Sequence, residues 1–106
     1  MAVSPLIEER FGVSVELLAD LCKRHALREL SVFGSALRRD FRPDSDVDIL
    51  IELQPGQTMT IERFVAIRDE LKAMFHRDVD LVEKPLVQNP YRRGEILRTR
   101  EVLYAA

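Results

Sequence analysis

Hydrophobic and polar positions alternate most clearly over residues 47–53, where every second residue is a large aliphatic one. A period of two is the period of a β-strand, so these residues share one strand face that can be buried. The residues of that apolar face are Val47, Ile49, Ile51 and Leu53. The opposite face of the same strand then carries Asp46, Asp48, Leu50 and Glu52. The pattern therefore predicts a strand that is apolar on one side and largely acidic on the other.

Further strands and helices alternate along the rest of the chain. Short apolar runs predict strands over Arg28–Phe33, Val79–Leu81 and Glu101–Tyr104. Helical spacing and capping residues predict helices from Ser14 to about His25, from Ile61 to about Phe75 after Thr58 or Thr60, and from Asn89-Pro90 to about Thr99. A short helix over Pro5–Arg10 is also predicted. This order is typical of an α/β or α+β fold in which helices cover a small sheet, formed as a single domain over residues 1–106.

Composition narrows the class of protein. The chain is 46% hydrophobic and 32% charged, which is ordinary for a globular protein. Its net charge of −2 disfavours stable binding to duplex nucleic acid. The single cysteine, Cys22, cannot form an internal disulfide, and no apolar stretch approaches the roughly 18 residues of a membrane span. The N-terminus lacks a signal-peptide pattern, so we expect a cytoplasmic protein without a membrane partner.

The candidate chemistry begins at Gly34-Ser35, which follows a predicted strand and precedes Asp46-Val47-Asp48 by ten residues. Glycine at this point allows a tight turn and close approach of a ligand, and the serine hydroxyl can bind phosphate. Two aspartates at positions i and i+2 of a strand project from the same face, so both can bind the same cations. Carboxylate oxygens favour magnesium or manganese over zinc.

A third carboxylate, Asp80, lies in the predicted strand Val79–Leu81 and reaches the same site if that strand neighbours the second one. Three carboxylates around two metal ions can orient a hydroxyl nucleophile and stabilise the departing oxygen in a displacement at phosphorus. Asp78 lies two residues earlier on the same face and is the alternative to Asp80.

Structural interpretations of the same residues remain open at this point. Gly34-Ser35 could be a plain turn, and Asp46 and Asp48 could be solvated residues at a strand start. Arg38 could contact phosphate or pair with a nearby carboxylate. A basic cluster near the C-terminus is either a solvated helix face or a surface for an anionic partner. Its members are Arg92, Arg93, Arg98 and Arg100.

Residues 32–51, VFGSALRRDFRPDSDVDILI, resemble the signature of the minimal nucleotidyltransferase family, within the DNA polymerase β-like superfamily. The resemblance implies an α+β nucleotidyltransferase fold with a small mixed sheet, its first three predicted strands side by side, flanked by helices. It implies phosphate binding by Gly34 and Ser35, with Arg38 as a further nucleotide contact. It also implies that Asp46, Asp48 and Asp80 are catalytic and bind two Mg²⁺ ions, with ATP as the substrate.

Members of this family resemble the antitoxin half of a toxin–antitoxin pair whose partner is a HEPN-domain toxin. The implied activity is transfer of AMP from ATP to a hydroxyl group, that of a tyrosine, on the toxin. The alternative is a non-catalytic antitoxin that neutralises its partner by binding alone. Loss of Asp46 or of ATP would abolish neutralisation under the first hypothesis and leave it unchanged under the second.

Overall fold

The computed structural model describes residues 2–3, 6–34, 46–84 and 89–106, and the strands among them form one five-stranded sheet. The strands are β1 (Ala2–Val3), β2 (Leu27–Phe33), β3 (Val47–Leu53), β4 (Val79–Glu83) and β5 (Glu101–Ala105). They lie in the order β1-β5-β2-β3-β4. Strands β3 and β4 run parallel, whereas the other neighbouring pairs are antiparallel. The sheet is therefore mixed, as the resemblance implied.

In the described parts of the chain, four helices connect the strands: α1 (Leu6–Phe11), α2 (Val15–Arg24), α3 (Ile61–Phe75) and α4 (Pro90–Thr99). The last three begin at side-chain caps. Ser14 accepts a hydrogen bond from the backbone N–H of Leu17, and Thr60 accepts one from Arg63 at 3.1 Å. Asn89 caps α4 in the same way. None of the described helices is long and apolar enough to cross a membrane.

The main core lies between one face of the sheet and the helices α2 and α3. The aliphatic face of β3 points into it, because Val47, Ile49 and Ile51 are fully buried. Leu18 and Leu21 of α2 and Ile67 and Leu71 of α3 meet this face and are also fully buried. The apolar stripe predicted for β3 therefore faces the core.

The opposite face of the sheet is covered in part by α4. Phe33 of β2, Leu50 of β3 and Ile96 of α4 form a second, smaller cluster of buried residues. This contact fixes α4 above the middle of β3, two residues along the strand from Asp48. On this second face of β3, Leu50 in the middle of the strand is covered by α4, whereas Asp48 near the start of the strand is acidic.

The predicted fold class is confirmed, and so is the adjacency of the three strands that the resemblance implied. The predicted terminal strand is also confirmed as β5, which pairs with β2. Element bounds differ from prediction by a residue or two, since β2 starts at Leu27 and α1 covers Leu6–Phe11. Strand β1 was not predicted, because a two-residue strand has no period and pairs with Ala105 and Tyr104 at the far end of the chain.

Candidate active site

Strand register brings the predicted aspartates together at one end of the sheet. Asp48 lies opposite Phe33 in the antiparallel β2–β3 pair and directly beside Asp80 in the parallel β3–β4 pair. Because paired residues of neighbouring strands project from the same face, both carboxylates lie on the face of the sheet that α4 covers in part, at the beginning of β3 and not under Ile96. Asp46 immediately precedes β3 and is exposed.

The pKa of Asp48 shows that Asp46, Asp48 and Asp80 lie close enough to interact. Partial burial raises the pKa of the Asp48 carboxyl, and the negative charges of Asp80 and Asp46 raise it further. A hydrogen bond between the side chains of Asp48 and Asp80 also raises this pKa, because it holds the proton on Asp48. The three carboxylates therefore interact, and a bound cation would relieve their mutual repulsion.

Gly34 lies against the same carboxylate. Its φ of +68° is in the left-handed region, which favours glycine. A Cβ atom built on Gly34 would overlap Oδ2 of Asp48 and would lie 3.4 Å from its Cγ. Any other residue would have to displace the Asp48 side chain. The glycine of the predicted phosphate site and the aspartate of the predicted metal site are thus neighbours in space.

Asp78, the alternative to Asp80, has a different environment. Its carboxylate lies 3.3 Å from Nζ of Lys72, and its side chain is 73% exposed. Its backbone carbonyl accepts a hydrogen bond from the N–H of Val47 at 3.0 Å, which fixes the start of the β3–β4 register. It is therefore Asp80, and not Asp78, that the register places beside Asp48.

The donor set fits a hard divalent cation, since it consists of carboxylate oxygens only. Within the described ranges, no three histidine, cysteine or carboxylate side chains already surround a common point closely enough to hold an ion. The preformed part is the pair of Asp48 and Asp80, which lie side by side in the β3–β4 register, with Asp46 near enough to raise the pKa of Asp48. The chemistry of the residues thus suits magnesium.

Two predicted site residues, Ser35 and Arg38, lie outside the described residues. One residue that the sequence did not single out for the site acts on it: the positive charge of Arg92 on α4 lowers the pKa of Asp48 against the other influences. The sequence placed Arg92 in a basic cluster without assigning it to the carboxylates. No local pattern in the sequence links Arg92 to the carboxylates, because α4 and β3 are far apart along the chain.

Comparison with known proteins gives the family. The nucleotidyltransferase domain family matches residues 15–103 of the chain. Protein adenylyltransferase MntA of Thermococcus cleftensis is 33% identical over 98 residues, which cover 92% of this chain and 94% of the relative.

Solved structures agree with this family. A structure named as a minimal nucleotidyltransferase superposes with a TM-score of 0.67 at 30% identity, covering 82% of this chain and 86% of the other. A chain of the complex between a tri-AMPylated HEPN toxin and its MNT antitoxin from Shewanella oneidensis gives a TM-score of 0.58. It is 18% identical and covers 87% of this chain and 71% of that one, so it shows a shared fold. With the carboxylates and Gly34 placed together by the sheet, these matches establish that the chain is an enzyme of the nucleotidyltransferase family.

Proposed function

We propose that this chain is a magnesium-dependent protein adenylyltransferase that acts as an antitoxin. In this proposal it transfers AMP from ATP to a tyrosine hydroxyl of a HEPN-domain toxin partner and thereby silences the toxin. The observation that carries the proposal is the placement of Asp48 beside Asp80, with the backbone of Gly34 against the Asp48 carboxylate. The name of the Thermococcus relative and the nature of the Shewanella complex support the choice of reaction and partner.

In this proposal the chain positions the two reactants and stabilises charge. Gly34 and Ser35 bind the β- and γ-phosphates, and Arg38 adds a further contact to the nucleotide. Asp46, Asp48 and Asp80 hold two magnesium ions, which supply the positive charge that stabilises the oxygens around phosphorus when bound. Asp80 also accepts the proton that the attacking hydroxyl loses.

The bonds that form and break follow from this arrangement. The hydroxyl oxygen of the acceptor forms a bond to the α-phosphorus of ATP, and the bond from that phosphorus to the β-phosphate oxygen breaks. Pyrophosphate leaves, and the hydroxyl proton passes to an oxygen of Asp80. The product is AMP joined to the acceptor through a phosphodiester bond.

The open side of the site supports an acceptor carried by another protein. Asp46 and Asp80 are both exposed, and α4 packs over the middle of β3 and not over its acidic beginning. A side chain of a partner can therefore approach the carboxylates from solvent. The cytoplasmic location expected from the sequence belongs to the same proposal.

The test incubates the chain with α-labelled ATP, magnesium and a HEPN-domain toxin, the class of partner that the proposal names. The wild type should label that partner. The double variant Asp46→Asn/Asp48→Asn should retain less than about 1% of the labelling, because several kcal/mol of transition-state stabilisation are lost. Asp78→Asn is the matched control, since Asp78 pairs with Lys72 outside the site and its loss should leave labelling unchanged.

An assay of toxin neutralisation distinguishes the proposed AMP transfer from neutralisation by binding alone. If the double variant still neutralises the partner as well as the wild type does, and neutralisation needs no ATP, the chain acts by binding alone. Unchanged labelling by the double variant would show that the carboxylates are not the catalytic groups. Mass spectrometry of the labelled partner then identifies the residue that is modified.

A further inference from the structure

Strand β4 forms one edge of the sheet, and the candidate site residue Asp80 lies on it. Its register with β3 is continuous over five residue pairs. The backbone N–H of Val47 donates to the carbonyl of Asp78, so the hydrogen bonds to β3 use the even-numbered residues of β4. The N–H and C=O groups of the odd-numbered residues therefore point along the free edge. These residues are Val79, Leu81 and Glu83.

The outward backbone groups of β4 have no backbone partner among the residues that the structure describes. A regular edge of this length can pair with an extended segment of another chain. The opposite edge of the sheet, β1, has only two residues and offers fewer hydrogen bonds. Within the described sheet, β4 is thus the edge where a further strand can add.

A cavity of about 600 Å³ opens beside the end of β4. Glu83 lines it together with the apolar side chains of Met59, Ile61 and Phe64. Ile61 is 81% exposed, although isoleucine is among the residues most often buried. Glu83 shares a strand face with Leu81, which packs in the main core, so the cavity lies on the α3 side of the sheet. A residue of an added strand opposite Glu83 projects toward this cavity.

The second face of the same edge presents the carboxylates. Asp80 projects from the face opposite to that of Glu83, since the two are three residues apart along the strand. A residue of an added strand that lies opposite Asp80 projects from that face too, with the two Cβ atoms about 5 Å apart. A hydroxyl group on this residue therefore lies beside Asp80 and Asp48. The residue that faces the cavity is three positions away, about 10 Å along the strand.

Charge distinguishes the possible occupants of this edge. Strand β4 and the residue before it carry three carboxylates and no basic side chain: Asp78, Asp80 and Glu83. A second copy of this chain would bring the same acidic side chains against them, and like charges on paired strands are destabilising. A neutral or basic segment of a different protein meets no such repulsion. The occupant that fits the edge is therefore a segment of the partner that carries the acceptor hydroxyl.

We infer that the edge of β4 binds the acceptor segment of the partner protein in an extended conformation. This inference rests on the proposed function for the identity of the partner. The segment adds as a further strand and places its tyrosine opposite Asp80. It inserts an apolar side chain, three positions from the tyrosine, into the cavity beside Glu83. Backbone hydrogen bonds supply affinity, and the cavity supplies selectivity for the segment.

The first test uses a peptide copied from a labelled HEPN-domain toxin around its modified tyrosine, and measures kcat/KM for AMP transfer. In an extended peptide, alternate backbone amides face β4 and the others face solvent. N-methylation of the set that faces β4 should lower kcat/KM by about 10-fold or more, because it removes hydrogen bonds to the edge. N-methylation of the other set should change it by less than about 2-fold. Equal effects of the two modified peptides would overturn the inference.

Two variants test the edge from the side of this chain. Glu83→Pro removes an outward N–H, at an edge position where proline is tolerated. Ile61→Ser removes an exposed apolar side chain from the cavity. Each should lower kcat/KM for the unmodified peptide by about 5- to 10-fold and leave the dissociation constant of MgATP unchanged. Leu17→Ser is the matched control, because Leu17 is an exposed apolar residue on α2, 57% exposed, and should leave both quantities unchanged.

Circular dichroism verifies that the variants are folded, and Ile61→Ser and the peptides decide if Glu83→Pro is not. Unchanged kcat/KM in Ile61→Ser and Glu83→Pro, or an equal loss in Leu17→Ser, would overturn the inference and leave the proposed function intact. A wild-type dimer in analytical ultracentrifugation that Glu83→Pro dissociates would assign the edge to a second copy and overturn it too. If calorimetry shows that both variants bind the toxin more weakly but the wild type transfers no AMP, the inference holds and the proposed reaction fails.

Discussion

Replacing Gly34 by alanine perturbs the contact between the glycine turn and the carboxylates. The added Cβ would overlap Oδ2 of Asp48, so that the carboxylate would have to retreat by about 1 Å to reach ordinary contact distance. The substitution also places a side chain on a residue whose φ is +68°. It therefore has two separable effects, one on backbone conformation and one on the position of Asp48.

The two effects differ in size and in what they change. An alanine in the left-handed region costs about 1 kcal/mol of stability, or roughly 4 to 8 °C in melting temperature for a domain of this size. A displacement of about 1 Å in a group that positions reactants can reduce the rate by about 100-fold. We therefore expect a modest loss of stability and a large loss of activity.

Gly12→Ala provides the matched control. Gly12 has a φ of +66°, almost the same as that of Gly34, but a Cβ built on it meets nothing within 4 Å. Both alanine variants should melt at nearly the same temperature in a thermal denaturation followed by circular dichroism. Only Gly34→Ala should lose AMP transfer from α-labelled ATP to the HEPN partner, whereas Gly12→Ala should keep the wild-type rate.

The reasoning would be refuted if Gly34→Ala transferred AMP at the wild-type rate while melting like Gly12→Ala. That result would mean that the position of the Asp48 carboxylate does not matter for the reaction. A loss of activity in both variants to the same extent would point to a general effect of backbone strain.

Three further predictions concern stability. The pKa of Asp48 is raised mainly by burial and by Asp80, so the protonated Asp48 carboxyl stabilises the folded protein at pH values below the ordinary aspartate pKa. This contribution to the free energy of unfolding is lost as the pH rises through the raised pKa. Asp48→Asn without metal should therefore melt above the wild type at pH 8, and a lower melting temperature would contradict this. A hydrogen bond from Arg24 lowers the pKa of Glu70, so the ionised Glu70 carboxylate stabilises the folded protein at pH values above the ordinary glutamate pKa. This contribution to the free energy of unfolding is lost as the pH falls through the lowered pKa. Glu70→Gln should slightly lower the urea midpoint at pH 7, and a deficit that stayed the same in acid would be inconsistent with the ion pair. Ile96 is only 6% exposed, so Ile96→Ala should reduce the free energy of unfolding by about 2 to 5 kcal/mol in urea titrations, while Ile96→Val should cost about 1 kcal/mol.

The helices and central strands could be predicted from the sequence because their signals are local. Asn89 caps α4 as predicted, and of the two candidates Thr58 and Thr60 it is Thr60 that caps α3. The alternation in β3 correctly predicted the face that is buried in the core. These features depend on neighbours within a few positions, which the sequence displays directly.

Features that depend on register between distant segments could not be predicted in the same way. The sequence allowed either Asp78 or Asp80 beside Asp48, and the parallel pairing of β3 with β4 placed Asp80 there. Arg92 is 44 positions from Asp48, and its proximity follows from the packing of α4 on the second face of the sheet. The sequence assigned Gly34 and Asp48 to one candidate site but did not predict their direct contact, because that contact joins the end of one strand to the start of another.

A crystal structure of the chain with magnesium and a non-hydrolysable ATP analogue tests the central claim most directly. The account predicts cations bound by Asp46, Asp48 and Asp80, with the phosphate groups next to Gly34 and Ser35. A nucleotide bound elsewhere on the protein, or cations that leave Asp48 and Asp80 without a metal contact, would contradict it.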